Sequence, residues 1–135
     1  MQPTPSLRCI VVTPERAVLD EPADFVALPM YDGELGVLPG RAPLIGRLGY
    51  GELRTRQDGA TRRFFVDGGF AQVRDNVVTV LTDRAIPAEN LDRTAALQAL
   101  EAALRPAATP EGQEAQLKAQ ERARAQLRLA ERVLS

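Results

Sequence analysis

Of the side chains that carry most enzyme chemistry, histidine is absent from the 135 residues and cysteine occurs once. Without imidazole there is no histidine general base, no Ser-His-Asp or Cys-His pair, and no His-bearing metal site. A P-loop needs Gly-Lys-Ser/Thr, and the only lysine, Lys118, is followed by Ala119. Gly46, Gly49 and Gly51 suggest a dinucleotide loop in composition alone: their spacing is wrong and no helix follows, so they read as turns. The carboxylates form neither a D-x-D nor an E-x-x-H arrangement. Cys9 lies in the apolar run Leu7-Arg8-Cys9-Ile10-Val11-Val12 and reads as a small buried hydrophobe; a lone cysteine also fits a reducing compartment. These residues point away from catalysis and towards contact surfaces.

The clearest pattern in polar residues is a row of arginines, Arg124, Arg128 and Arg132, at i, i+4 spacing. Such a row is either a solvated helix face or an interaction surface. Leu117 and Leu129 stand off the apolar stripe of the same segment, which favours a partner there. Nucleic acid and anionic membranes are poor candidates for that partner. The chain has 17 basic and 18 acidic residues, a net charge of −1, and four Phe without a stacking pattern. No stretch approaches the roughly 20 apolar residues of a membrane span. Residues 1–6, with Pro3 and Pro5, lack a charged-then-apolar signal pattern. The expectation is a soluble chain, not inserted in a membrane, that stays where it is made.

Two kinds of element must position these surfaces. Up to about residue 88 the chain is rich in Gly and Pro with short apolar bursts; beyond it Ala, Leu, Gln, Glu and Arg dominate. The first part reads as short strands: Leu7–Val12, Arg16–Leu19, Phe25–Leu28, Glu52–Arg56, Thr61–Val66, Phe70–Arg74 and Val77–Leu81. Asp58-Gly59 and Asp75-Asn76 are tight hairpin turns. Short strands at this turn spacing predict an antiparallel β-sandwich or barrel over residues 1–88. Residues 89–135 predict a helical hairpin. Asn90 can cap the first helix, with Asp92 in its first turn and Leu97, Leu100 and Leu104 at helical spacing beside Ala96 and Ala103. Arg105 before Pro106 stops it. Thr109-Pro110-Glu111 starts the second helix, with a stripe at Ala115, Ala119, Ala123, Leu127, Ala130 and Leu134. An alanine stripe buries little surface, about 0.8 kcal/mol per methyl, so the hairpin should be weakly held and able to detach.

The segment Asp32-Gly33-Glu34-Leu35-Gly36-Val37-Leu38-Pro39-Gly40-Arg41-Ala42-Pro43-Leu44 closely resembles the signature of the epsilon subunit of F-type ATP synthases. Val12-Thr13-Pro14-Glu15-Arg16, Asp67-Gly68-Gly69-Phe70, the last strand Val77–Asp83 and Ala125-Gln126-Leu127-Arg128-Leu129-Ala130-Glu131 extend the resemblance along nearly the whole chain. It implies a β-sandwich followed by a helix-turn-helix, in agreement with the reading above. It also implies a non-catalytic rotor subunit at the cytoplasmic face of the inner (plasma) membrane, binding the gamma subunit and the ring of c subunits. There it helps couple proton flow to ATP synthesis. The family's hairpin can extend into the head of alpha and beta subunits and block ATP hydrolysis. By position, Tyr31, Asp32 and Glu34 fall where the family faces the c ring, and Arg41 and Pro43 near gamma, with Arg41 in place of the usual histidine. Arg122, Arg124 and Arg128 fall on the inhibitory helix. The competing reading is a ligand-binding β-sandwich module with a helical dimerisation tail.

Some members of the family bind ATP through Ile/Leu-Asp-x-x-Arg-Ala. Here Leu91-Asp92-Arg93-Thr94-Ala95-Ala96 has Ala95 at the arginine position, Ile86 replaces a Glu, and Ala102 replaces a second Arg. No cofactor is therefore expected. Two missing charged contacts should weaken ATP binding by roughly a hundredfold or more. Isothermal titration of the isolated chain with ATP checks this, and micromolar affinity would contradict it.

Overall fold

The computed structural model describes residues 6–134. Eight strands precede two helices: β1 (Leu7–Val12), β2 (Ala17–Ala23), β3 (Phe25–Met30), β4 (Gly33–Val37), β5 (Leu44–Gln57), β6 (Ala60–Arg74), β7 (Val77–Leu81), β8 (Ala85–Pro87), α1 (Arg93–Ala103) and α2 (Pro110–Leu134). Pro3, Pro5 and the side chain of Leu134, named above, lie outside the described residues.

Both predicted hairpin turns form. Asp58, Gly59, Asp75 and Asn76 have φ of 50°, 81°, 51° and 64°, the left-handed pairs that two-residue hairpins require. Between them the chain builds one long ribbon. β5 and β6, of 14 and 15 residues, stay paired from Leu44↔Val73 to Gln57↔Ala60. This ribbon serves two layers. One layer joins β2, β1 and β7 to the ribbon's open end, and the other joins β4, β3 and β8 to its Asp58-Gly59 end. The pairing is antiparallel throughout except for β1 with β7, which run parallel. The sandwich is thus a single sheet folded over itself, its core filled by Leu7, Cys9, Val11, Val26, Leu28, Leu53, Phe64, Val66, Val73, Val78 and Val80.

Several segments continue where the sequence suggests a stop. Glu52–Arg56, Thr61–Val66 and Phe70–Arg74 are parts of the ribbon, because the glycines bend the strands without ending them. Gly68 and Gly69 have φ of 68° and 105°, and a Cβ at Gly69 would stand 1.9 Å from the Leu81 carbonyl oxygen. β2 begins at Ala17 and runs on through Pro22, which an edge strand tolerates. β3 runs through Pro29, where its register with β5 is interrupted between Ala27 and Met30. The signature segment contains the strand β4, and β8 is an addition.

Cys9 is buried as expected, and burial pushes its thiol up to about 12, with a smaller contribution from the charge of Glu21. At neutral pH it is a protonated thiol and no nucleophile.

In the hairpin, Asp92 and not Asn90 caps α1. Its Oδ1 accepts from the Thr94 and Ala95 N–H groups at 2.9 and 3.2 Å, and residues 88–90 form a 3-10 turn. Ala96 and Ala103 are the buried residues of α1, whereas Leu104 is exposed; a close helix pair puts the small residues at the seam. α2 starts as predicted, with the Gly112 N–H donating to Thr109 Oγ1 at 3.0 Å. The helices are antiparallel: Arg93 pairs with Glu131 at 3.5 Å, and Gln120 Nε2 donates to the Ala103 carbonyl at 3.0 Å. α2 projects past α1 at its start, so Ala115 is exposed and Ala123, Leu127 and Ala130 make the seam.

Gly69→Ala should lower unfolding free energy by about 3 kcal/mol or more, through the clash and the positive φ together. Gly59→Ala, with φ of 81° but open space around it, should cost only about 1–2 kcal/mol. Urea denaturation of both variants checks the difference.

Candidate functional site

Strand β6 carries the run Phe64-Phe65-Val66-Asp67, buried at every position. Alternation sends Phe64 and Val66 into the sandwich core and Phe65 and Asp67 to the other side. There they meet α2. Register places Tyr50 opposite Asp67, Glu52 opposite Phe65, and Ile86 on the far side of Phe65. These five residues form a seat on the outer face of the second layer. Its apolar centre is Phe65 packed with Ala88, Ala125 and Leu129, with Tyr50, Ile86 and Leu91 around it.

Two carboxylates border that centre, and each receives an arginine from α2. Arg122 Nε donates to both oxygens of Asp67, at 2.9 and 3.0 Å, and its guanidinium lies 5.0 Å from the centroid of the Tyr50 ring. Arg132 donates to Glu52. Each carboxylate also holds arginines of the sandwich. Arg84 Nε lies 3.4 Å from Asp67, and Arg63 and Arg54 lie 2.6 and 3.3 Å from Glu52. The side chains of Asp67 and Glu52 are only 9% and 10% exposed.

The seat explains the composition of α2. Arg122, Ala125, Leu129 and Arg132 form a stripe facing the sandwich, while Ala119, Ala123, Leu127 and Ala130 face α1. With 3.6 residues per turn the two stripes are roughly 135° apart. Leu129 therefore stands off the first stripe because the chain's own sandwich covers it, and the partner expected there is intramolecular. Arg132 leaves the solvated row for the same reason. Leu117 remains 60% exposed. Of the three arginines assigned to the inhibitory helix, Arg122 is engaged by Asp67 while Arg124 and Arg128 are exposed. Among the described residues Arg124 reaches its neighbour Gln120, at 3.5 Å. All three line a cleft of about 900 Å³ between α2 and the sandwich, together with Tyr31 and Arg47.

The other predicted contact residues lie on two exposed segments. Tyr31 and Asp32 make the β3–β4 turn, and Glu34 follows on β4, paired with Arg54 at 3.2 Å. Tyr31 is 69% exposed, and its ring lies 4.8 Å from the Arg47 guanidinium. Arg41 and Pro43 are exposed on the loop before β5, which is fastened to the β6–β7 turn by the Gly40 N–H donating to Asn76 Oδ1 at 2.8 Å. Both segments border an apolar strip on the outer face of the first layer. Ile45, Phe70 and Leu81 are exposed there, with Arg47, Phe70, Leu81 and Val12 in one cross-strand row.

Residue types alone do not reveal Asp67, Glu52, Arg84 and Tyr50 as parts of a site. The available signal is an uninterrupted apolar run ending in an acid, Phe64-Phe65-Val66-Asp67, which implies a strand covered on both faces. Around the ATP-like motif, Asp92 is used as a helix cap, Arg93 pairs with Glu131, and Ile86 packs in the seat.

A folded-over sandwich with a helical hairpin clasped to one face and exposed apolar contacts on another defines a module built for protein contact. Residues 6–88 match the family model for the β-sandwich domain of the ATP synthase delta/epsilon chain. The chain is 60% identical over 124 residues to the ATP synthase epsilon chain of Rhodopirellula baltica, covering 91% of this chain and 97% of that one. It is 42% identical to the epsilon chain of a Synechococcus species, over 90% of each. A chain in the cryo-EM structure of Euglena gracilis mitochondrial ATP synthase superposes with a TM-score of 0.80 at 25% identity, covering 100% of this chain and 85% of that chain. A chain of the Tetrahymena thermophila mitochondrial ATP synthase shares the fold, with a TM-score of 0.74. The chain belongs to the ATP synthase epsilon-chain family.

Leu129→Ala removes the largest α2 side chain from the seat. It should weaken hairpin docking by about 2–4 kcal/mol and leave the inner core intact. Amide exchange should accelerate along α2 while the amides of β1 and β7 keep their protection.

Proposed function

We propose that the chain is the non-catalytic central-stalk subunit of an F-type ATP synthase, and that its hairpin alternates between the seat and an extended form that inhibits ATP hydrolysis. In this reading residues 1–88 bind the rotor and residues 89–135 move. The apolar strip and the loop with Arg41 and Pro43 meet the gamma subunit, and the Tyr31, Asp32 and Glu34 turn meets the ring of c subunits. No helix of the described residues is long and apolar enough to cross a membrane. The reading therefore has the chain held peripherally, at the cytoplasmic face, through its protein partners.

The observation that carries the regulatory part is the make-up of the seat. Phe65 and Leu129 with two alanines at the centre, Tyr50, Ile86 and Leu91 half-buried around them, and two arginine clamps hold a 25-residue helix. Such a contact is strong enough to dock the hairpin and weak enough to release it. Docking engages Arg122 and leaves Arg124 and Arg128 exposed. Arg suits pairing with an acidic segment of the catalytic head, since its planar fork matches carboxylates.

The double change Arg124→Ala with Arg128→Ala keeps the Arg122 clamp and removes the exposed contacts. In the reconstituted complex it should raise ATP hydrolysis, most at low ionic strength where screening is least. Each exposed pair is worth only about 0–1 kcal/mol, so single changes should do little. Adding Arg122→Ala should not restore inhibition. Hydrolysis rates equal to wild type at every salt concentration would refute the inhibitory role of these arginines.

A further inference from the structure

We propose that Asp67 and Glu52 are the exchange points of a releasable latch. Each holds a resident arginine of the sandwich beside an arginine of α2, so that α2 can leave without stranding a buried carboxylate. The latch takes from the reading above only that α2 is the element that moves.

A carboxylate as enclosed as Asp67 or Glu52 cannot cheaply lose its cation, because stripping one partner from a buried pair leaves an uncompensated charge. A helix held by such a pair alone would be locked down. Here each carboxylate has a second cation that does not depend on the hairpin. Arg84 sits between β7 and β8, where its carbonyl accepts from the Asp67 N–H at 3.1 Å and from Thr82 Oγ1 at 3.2 Å. The resident is therefore tied to the residue it serves. Its 3.4 Å approach to Asp67 is longer than the two contacts of Arg122, at 2.9 and 3.0 Å. In the docked form Arg122 holds the better position and Arg84 waits behind it. At Glu52 the residents Arg63 and Arg54 belong to the β5–β6 ribbon itself.

The arrangement is asymmetric in what leaves. The carboxylates stay in the sheet with their residents, while Arg122 and Arg132 depart on flexible side chains into water or onto another acidic surface, which suits a guanidinium. The two oxygens of a carboxylate offer about four acceptor sites, so two guanidiniums can donate to one acid at once, as Arg122 and Arg84 do at Asp67. The exposed pairs elsewhere, Arg8–Asp20 and Arg62–Glu21, use one arginine for one carboxylate. The doubled partners stand where α2 covers the acid. An ordinary stabilising network and a latch make opposite predictions for the resident arginine. In the network its removal loosens everything, whereas in the latch its removal holds α2 more tightly, because departure would then leave Asp67 alone.

Hydrogen exchange on the isolated full chain reads this directly, with amides of α2 between Ala123 and Ala130 as reporters and those of Val11 and Val80 as the internal control. Arg122→Ala should speed α2 exchange by about tenfold or more. Arg84→Ala should slow it several-fold, and that slowing should vanish in an Asp67→Asn background, where no charge can be stranded. If Arg84→Ala speeds α2 exchange as Arg122→Ala does, or acts equally with Asn at position 67, the latch is overturned. Should Arg84→Ala also expose the control amides, the paired change Arg54→Ala with Arg63→Ala at Glu52 supplies the same comparison, with the same two outcomes. The measurement involves no partner, so failure of the latch leaves the hydrolysis result standing, and failure of inhibition leaves the latch standing.

Discussion

Strand β6 has to bury both of its faces over Phe64–Asp67, and most of the molecule's organisation answers to that requirement. The inner face is satisfied by folding the sheet over itself, which fixes the bend at Gly68-Gly69 and the division of the β5–β6 ribbon between two layers. The outer face needs a cover from outside the sheet, and α2 provides it. A single helix laid on a sheet would still expose its opposite side. α2 therefore carries a second apolar stripe, and α1 exists in the fold to cover that stripe. Phe65 and Leu129 are each worth about 1.5–3 kcal/mol of burial, so the contact that orders the helical part amounts to only a few such side chains.

Charge is used at the edges of that contact with some economy. The apolar centre alone would let α2 rotate or slide on the sheet, since burial has no direction. Arginines ten residues apart on the helix, Arg122 and Arg132, fix its rotation and its register against two carboxylates on neighbouring strands. The carboxylates are the enclosed members of these pairs and the arginines the more accessible ones, with Asp67 9% and Arg122 34% exposed at the side chain. This distribution puts the group that is costly to desolvate on the rigid sheet, where the sandwich can serve it permanently, and the amphipathic group on the helix.

The fold was largely legible in the residues, and the seat was not. Asp58-Gly59 and Asp75-Asn76 tolerate left-handed backbone and read as hairpin turns; Thr109-Pro110-Glu111 reads as a helix start. Strands run past the ends their sequence suggests where a residue that usually stops a strand sits in a place that excuses it. Pro22 lies on an edge strand and Pro29 at a register break, while Gly68-Gly69 is a bend inside a strand. The site was hidden for a different reason. Glu52, Asp67 and Arg84 are ordinary surface residues by type, and only the pairing of β5 with β6 and the return of α2 bring them together. Leu129 was visible as an anomaly on the helical wheel, yet periodicity within one helix cannot say whether the second stripe meets another protein or the same chain.

The parallel pairing of β1 with β7 has a consequence for the order in which the chain acquires its shape. Val11 cannot meet Val80, its partner in that ladder, until nearly seventy intervening residues have been made, and a pairing this remote closes late. During synthesis the N-terminal strand must wait, with its apolar face uncovered, for β7 to emerge. Another 54 residues follow Leu81 in the 135-residue chain. At about 5–20 residues per second they take on the order of several seconds to translate. The sandwich thus has time to close before α2 is complete, so the helix arrives after it and docks on a finished surface. On the movement proposed above, its departure and return would retrace the final step of its own biogenesis.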